Sequence, residues 1–407
     1  MARIVMKFGG TSVSNTDRIK NVARLVKAEV DLGNEVAVVV SAMSGTTDQL
    51  AAWSNAVAQL QRSEEYDIVV SSGEQITVGL LALALQNLGL KARSWLAWQI
   101  PIYTDCVHGN ARIISIDSSI ILKEIVQGQI AVVAGFQGIG PNKRITTLGR
   151  GGSDTSAVAL AASLQADRCD IYTDVEGVYT TDPHLIAKAR KIDFIAYEEM
   201  LELASHGAKV LHSRAVIMAA LYALPVQVLS SLDKKPGTLI VKEGGLVEKQ
   251  VVTSIAYSTN EAKVTLIGLT DCPGVAAAIF ESLAKAAINV DMIVQNVSQN
   301  GDFTDLTFTV NSSNLNLACK MLNVLKKDLG YVDIISNAMV CKISVVGVGM
   351  RSQPGVAKIM FHTLAKCGIN IQLITTSEIR ISVLISSKYL DLALQALHTA
   401  YGLDTDG

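Results

Sequence analysis

The last third of the chain is written twice. Lys263-Val-Thr-Leu-Ile-Gly268 answers Lys342-Ile-Ser-Val-Val-Gly347, and Asp271-Cys-Pro-Gly-Val-Ala-Ala-Ala-Ile-Phe280 answers Ser352-Gln-Pro-Gly-Val-Ala-Lys-Ile-Met-Phe361. Leu283-Ala-Lys-Ala-Ala-Ile-Asn289 then answers Leu364-Ala-Lys-Cys-Gly-Ile-Asn370. Such a repeat is one supersecondary unit used again. Each copy reads strand, Pro-Gly turn, helix, strand and second strand (Asp305 to Val310; Arg380 to Ile385), and a helix from Leu390 to Tyr401 closes the second. The pattern predicts two small βαββαβ domains over 260–335 and 340–407. A duplicated structural module without a ligand is the plainer reading of such a pair.

The chain before the repeat has a different grammar. Arg3-Ile-Val-Met-Lys-Phe8, Glu35-Val-Ala-Val-Val-Val40, Gln129 to Ala134, Asp170 to Thr173 and Pro225 to Leu229 read as strands. Their nearly unbroken apolar runs suit a sheet covered on both faces. Helical spacing lies between them, as in Asp17 to Val30, Ile76 to Asn87 and Asp154 to Leu164. Alternation of this kind predicts a doubly wound, mainly parallel α/β domain over 1–245, with ligands at the carboxyl ends of its strands. Pro236-Gly237 and Gly244-Gly245 read as the linker to the repeat.

Composition narrows the partners. A net charge of -2 and 5% aromatic residues argue against a nucleic-acid surface, which needs a basic stripe or stacking platforms. The mean hydropathy of +0.34 prompts a search for a membrane span. The longest uncharged run, Ala215 to Leu232, contains Pro225 and reads instead as a helix followed by a strand. Six scattered cysteines form no metal or disulfide pattern, so a soluble protein of the reducing cytoplasm is expected.

Three glycine-rich strand ends carry the chemistry: Lys7-Phe-Gly-Gly-Thr-Ser12, Ser41-Ala-Met-Ser-Gly-Thr-Thr47 and Leu148-Gly-Arg-Gly-Gly-Ser-Asp-Thr155. Such junctions let backbone N–H groups approach phosphate, and a strand-end lysine suits the charge of a transferring phosphoryl group. No GxxxxGK[ST] loop, dinucleotide fingerprint or GxSxG elbow is present. His206 and His212 lack an HExxH frame and read as structural.

These segments, with Ser72-Gly-Glu74, Gly135-Phe-Gln-Gly138, Tyr172-Thr-Asp-Val-Glu-Gly-Val-Tyr179, Thr181-Asp-Pro183 and Gly207-Ala-Lys-Val-Leu-His212, occur in the order found in aspartokinases, and the chain resembles that family. The repeat resembles the family's tandem ACT domains, with Gln295-Asn-Val-Ser298 and Thr375-Thr-Ser-Glu-Ile-Arg-Ile-Ser382 as further matches. The resemblance implies an amino-acid kinase fold followed by two ACT domains. It implies transfer of the ATP γ-phosphoryl group to the side-chain carboxylate of L-aspartate, the first step towards lysine, threonine, methionine and diaminopimelate. By the same resemblance Lys7, Arg150 and Asp154 are catalytic. Lys7, Phe8, Gly9, Gly10, Thr173, Asp174, Tyr179, Asp182 and Lys209 hold the nucleotide. Ser41, Thr47, Glu74, Gly151, Gly152 and Ser153 join Arg150 and Asp154 around the substrate, with Arg150 on the α-carboxylate and Glu74 on the α-ammonium group. Magnesium accompanies ATP, without dedicated protein ligands.

The resemblance further implies lysine or threonine as effectors, near Asp271, Gly274, Val275, Ala276, Gln295, Asn370, Ile371 and Ser377. Only the first copy's turn carries an acid, Asp271, so the effector sites are expected mainly there. A homodimer through the ACT domains, or a heterotetramer with a shorter ACT-only product, is expected. His184 stands where relatives often carry arginine. Plainer readings exist: Glu74 as a cap of the helix from Ile76, Asp174 and Asp182 as turn residues, Tyr179 as packing, Arg150 as an ion-pair partner, and Lys209 as a solvated charge. The competing functions are another amino-acid kinase, acting on glutamate, acetylglutamate or a nucleotide, and an amino-acid sensor with a dead kinase site. Arg150 with Glu74 favours a free amino acid.

Overall fold

In the computed structural model, the described residues are 1–58, 63–205, 210–233, 235–243, 251–297, 303–351 and 353–405. They form two compact units. The first comprises residues 1–179, 191–205 and 210–243; the second comprises Thr180–Arg190 and the chain from 251 onward.

The first unit runs β1 (Arg3–Phe8), α1 (Thr16–Asp31), β2 (Glu35–Val40), α2 (Thr46–Val57), α3 (Glu64–Asn87), β3 (Ala92–Trp95), β4 (Ile102–Thr104), β5 (Ile113–Ile116), α4 (Ser119–Val126), β6 (Ile130–Ala134), β7 (Gln137–Ile139) and β8 (Ile145–Thr147). It continues with α5 (Gly152–Ser163), β9 (Arg168–Thr173), β10 (Phe194–Ala196), α6 (Tyr197–Ser205), α7 (Ser213–Leu221), β11 (Val226–Ser230) and β12 (Thr238–Val241). Eight strands form one sheet in the order β10-β12-β11-β9-β1-β2-β6-β3. The run from β11 to β3 is parallel, and β12 is antiparallel to β11. The apolar runs of β1, β2 and β6 are buried almost throughout, as predicted for a covered parallel sheet. A small sheet, β5-β4-β7-β8, went unread because its strands are only three or four residues long.

Two sequence readings change here. Pro236-Gly237 does not begin a linker: it leads straight into β12, which pairs with β11 inside the sheet; Gly244-Gly245 lie outside the described residues. Helix α3 starts at Glu64, capped by Ser63 Oγ accepting from Tyr66 N–H, rather than at Ile76. Glu74 is therefore mid-helix and not an N-terminal cap. By length and composition α3 is apolar enough to cross a membrane, yet half of that apolar window is buried, and it packs in the core with α1 and β2.

The second unit runs β13 (Ser254–Thr270), α8 (Val275–Lys285), β14 (Val290–Val297), β15 (Phe303–Asn311), α9 (Leu315–Leu329), β16 (Asp333–Val346), α10 (Val356–Lys366), β17 (Leu373–Thr376), β18 (Arg380–Ser386) and α11 (Leu390–Ala400). Its strand order is β14-β15-β13-β16-β18-β17. The repeat is thereby completed in an unexpected way. The first copy uses β13 from Glu261 and β16 up to about Val340, while residues 254–258 of β13 pair with 346–342 of β16. The second copy's fourth strand thus comes from upstream of the first copy.

Segment Thr180–Arg190 is woven into that second copy. Ile255 N–H donates to Thr180 O (2.7 Å), Tyr257 OH to Asp182 Oδ2 (2.9 Å) and Arg190 Nε to Leu403 O (2.9 Å). Thr180 Oγ1 accepts from Arg190 N–H (3.0 Å) and is hydrogen-bonded to the buried His398 Nε2 (2.9 Å). Burial pushes the His398 pKa below its usual value, against Asp404 and with help from Arg190 and Lys188. A depressed histidine pKa means the unfolded chain takes up the proton first, so this contribution is complete above about pH 6.5 and is lost as pH falls below it. We expect the second unit's unfolding temperature to drop between about pH 7.5 and 5.5. His398→Gln flattens that drop in calorimetric scans, and an equal drop in the variant excludes His398 as its cause.

Candidate active site

Lys7 is the penultimate residue of β1, the strand flanked by β2 and β9. Its ammonium is nearly buried, and Nζ lies 2.5 Å from Asp154 Oδ1 in the first turn of α5. The other Asp154 oxygen accepts the backbone N–H of His212, the residue capping α7 (3.4 Å). The His212 ring packs on Gly151: a Cβ there would lie 2.4 Å from ring atoms, and its φ of +69° also favours glycine. Sequence reasoning read His212 as structural. Its contribution to Asp154 is a backbone bond, which no side-chain pattern announces.

The loop after β2 meets the same place. Ser41 N–H donates to Phe8 O (3.1 Å), and Ser41 Oγ is 2.7 Å from Ser153 Oγ. Thr47 lies in the first turn of α2, half-buried. Ala42 N–H donates to Glu74 Oε1 (2.9 Å). That bond needs α3 close to the loop, and Gly73 provides the approach: a Cβ would sit 2.7 Å from Ala42 Cβ. A mid-helix glycine costs about 1 kcal/mol of propensity, so close packing is what explains it here. Glu74 is buried, its Oε2 has no partner among the described residues, and burial lifts its pKa to about 7.

The remaining predicted residues divide. Gly9 N–H donates to Tyr172 O (3.2 Å), and Gly10 opens a short 3-10 turn. The Phe8 ring is wholly buried and stacks on Tyr172 (4.6 Å between centroids), so only its backbone lies at the strand end. Arg150 is exposed, and among the described residues its guanidinium has no hydrogen bond or ion pair. Thr173 ends β9, with Oγ1 bonded to the exposed Asp174 (3.1 Å). Tyr179 OH donates to Glu176 Oε2 (3.4 Å), itself paired with Lys235. Asp182 belongs to the second unit, where one oxygen accepts from Tyr257 and the other from His184 N–H. Lys209 lies outside the described residues.

Ser231 was missed: its N–H and Oγ both donate to Thr173 O, and Ser12 Oγ donates to it (2.8 Å). Its place just beyond β11 was the available signal. In the second unit, Gly274 caps α8, Val275 and Ala276 open it, and Asp271 precedes it. Gln295 is on β14, Asn370 and Ile371 precede β17, and Ser377 N–H closes the β17–β18 turn on Arg380 O (2.8 Å). No group of three or more His, Cys, Asp or Glu able to hold a metal exists among the described residues.

The arrangement couples a buried cation, backbone donors and a poised carboxylate, which suits charge transfer on phosphate. Comparison with known proteins agrees. Residues 2–230 match the amino acid kinase family, and 264–324 with 343–401 match the ACT domain. The chain is 50% identical over 405 residues to an aspartate kinase of Stutzerimonas stutzeri, covering 99% of this chain and 98% of that one. Structurally it is similar to E. coli aspartokinase III in complex with aspartate and ADP (TM-score 0.81, 27% identity, 98% of this chain and 99% of that one). The same enzyme in complex with lysine and aspartate gives a TM-score of 0.78 at 26% identity, covering 98% and 99%.

Enlarging Gly73 tests the approach of α3. Gly73→Ala is expected to fold but to lose at least about tenfold in turnover, because the Ala42 loop must shift off Glu74. Steady-state rates beside a circular dichroism spectrum check it, and a fully active variant would refute the packing argument.

Proposed function

Since this chain belongs to the aspartokinases of the amino acid kinase family and is an aspartate kinase, we propose how its own residues carry the reaction. Glu74 receives the substrate α-ammonium group and Arg150 clamps the α-carboxylate, a pairing suited to the planar guanidinium fork. Ser41, Thr47, Gly151, Gly152 and Ser153 line the same pocket. The substrate side-chain carboxylate is already ionised at neutral pH, so no general base is needed. Its oxygen forms a bond to the γ-phosphorus while the bond to the ADP oxygen breaks, giving 4-phospho-L-aspartate. Lys7 offsets charge on the moving phosphoryl group, helped by the N–H of Gly10, while Gly9, its own N–H held by Tyr172 O, shapes the turn beside it, and Asp154 keeps Lys7 aimed. Phe8 contributes through its backbone, and Thr173, Asp174 and Tyr179 hold the nucleotide, with Asp182 and Lys209 as further contacts.

Magnesium, expected to arrive with ATP, would supply further charge neutralisation when bound. The E. coli relative seen with lysine supports lysine as an effector here, with threonine the alternative, bound around Asp271, Gly274, Val275, Ala276, Gln295, Asn370, Ile371 and Ser377. The functional form is a homodimer through the ACT domains, or a heterotetramer with a shorter ACT-only product, in the cytoplasm. The enzyme opens the route to lysine, threonine, methionine and diaminopimelate.

The observation that carries the substrate reading is Glu74 Oε2, a buried carboxylate oxygen without a partner among the described residues. Its raised pKa has two consequences. Stability from the neutral form is present below 4.5 and lost as pH rises through about 7, leaving the empty enzyme destabilised by roughly 3 kcal/mol above that. An arriving ammonium group favours the ionised form, so aspartate binds better as pH rises. The aspartate KM is expected to fall between about pH 6 and 8, and Glu74→Gln to give a high, flat KM with a raised Tm at the upper pH. A flat profile in the parent enzyme would remove Glu74 from the ammonium site. Hydroxamate trapping with Mg-ATP and L-aspartate tests the activity itself. A product that falls on adding lysine or threonine supports the regulatory reading, and a signal with glutamate alone would overturn the substrate.

A further inference from the structure

Arg150 sits where the chain has no regular structure to steer it. It lies between Gly149 (φ +78°) and Gly151 (φ +69°), after the end of β8 and before α5. An exposed arginine between two left-handed glycines would sample many orientations, yet a carboxylate clamp must be held close to one. Something must fasten the corner.

The chain just before Gly149 is fastened from two sides. Asp67 of α3 is wholly buried and accepts from Thr147 N–H (3.0 Å), Thr147 Oγ1 (2.6 Å) and Gly109 N–H (3.2 Å). From the other side, Arg214 of α7 reaches Leu148 O through Nη1 (2.6 Å) and Ala111 O through Nη2 (2.8 Å). Asn110 Oδ1 stands 3.5 Å from Nη1. Ala111 N–H in turn donates to Thr147 O (2.9 Å), so the two strands of chain that Arg214 grips are themselves paired.

Two carbonyls held by one rigid guanidinium is a bidentate arrangement that lysine cannot reproduce. Leu148 itself is wholly buried and its N–H donates to Phe136 O (2.9 Å). The N–H and the carbonyl of Leu148, the residue that leads into the Arg150 loop, are therefore both fixed, the carbonyl by Arg214. Arg214 also follows His212, whose backbone holds Asp154. One helix start thus secures both the loop that bears Arg150 and the carboxylate that aims Lys7.

We propose that Arg214 is a positioning residue for aspartate recognition, acting through Arg150 by fixing the Leu148 and Ala111 carbonyls. The proposal rests on the reading of Arg150 as the α-carboxylate clamp. Its distinctive consequence is that Arg214 matters only while Arg150 is present.

A double-mutant cycle on the full-length enzyme tests this, with aspartate and ATP KM and kcat measured for the parent, Arg214→Met, Arg150→Ala and the double variant. Arg214→Met is expected to raise the aspartate KM on the order of tenfold with the ATP KM within about twofold of the parent. Arg214→Lys, restoring one of two carbonyl bonds, recovers part of that loss and carries the test if the methionine variant does not fold. In the Arg150→Ala background the Arg214 substitution adds nothing. Effects that multiply in the double variant, or an equal rise in ATP KM, overturn the proposal. An aspartate KM unchanged by Arg150→Ala, with Arg214→Met still damaging, identifies the Arg150 reading as the part that failed.

Discussion

The site depends on one ion pair, Lys7 with Asp154, held in a nearly closed environment. Taking both charges out of water is costly, and such pairs add little net stability compared with apolar packing. What this one supplies is geometry. Lys7 is fixed to the strand at the sheet's switch between β2 and β9, and Asp154 to the first turn of α5. His212 N–H fixes the second oxygen, so the carboxylate has no freedom to rotate away. In the role we propose for Lys7, a cation restrained in this way meets transferred charge without reorganising, which is where electrostatic catalysis gains most.

Glu74 follows the opposite logic. Asp67, also buried on α3, spends both oxygens on Thr147, Gly109 and His108 and acts as a structural knot. Seven residues along the same helix, Glu74 has one oxygen satisfied and one left bare. Two turns of helix put both carboxylates on one face, and their partners decide their roles. A buried polar atom left unpaired costs free energy, and it persists where a ligand completes it.

Much of this was legible in the sequence, and the failures share causes. The strands ending in Lys7-Phe-Gly-Gly and Ser41 were clear because both sheet faces are covered and their central residues are apolar. The first turns of α3 were not, because the helical spacing was read only from Ile76, beyond Gly73, whose place in the helix is explained by Ala42 Cβ lying 2.7 Å from where its own Cβ would be. Arg214 and His212 were invisible as site residues because what they hold, or hold with, is backbone. The origin of the second copy's last strand was hidden for a different reason. The pairing of Ser254 with Val346 joins residues far apart in the chain, and local periodicity says nothing about such partners.

That interleaving changes what the repeat can do. The second unit is not a tail that begins where the first ends, because the chain enters it at Thr180, leaves at Arg190 and returns before β13. Tyr179, which we propose holds the nucleotide, is one peptide bond from Thr180, whose carbonyl and hydroxyl are held by Ile255 and His398. Any state of the second unit that favours one arrangement of 180–190 therefore acts on both ends of that excursion through covalent bonds. An effector needs only to bind one such state more tightly than another. Without Thr180–Arg190 the Ile255 N–H, His398 Nε2 and the Leu403 carbonyl would need other partners, so that segment is part of the second copy's structure and not a tether to it.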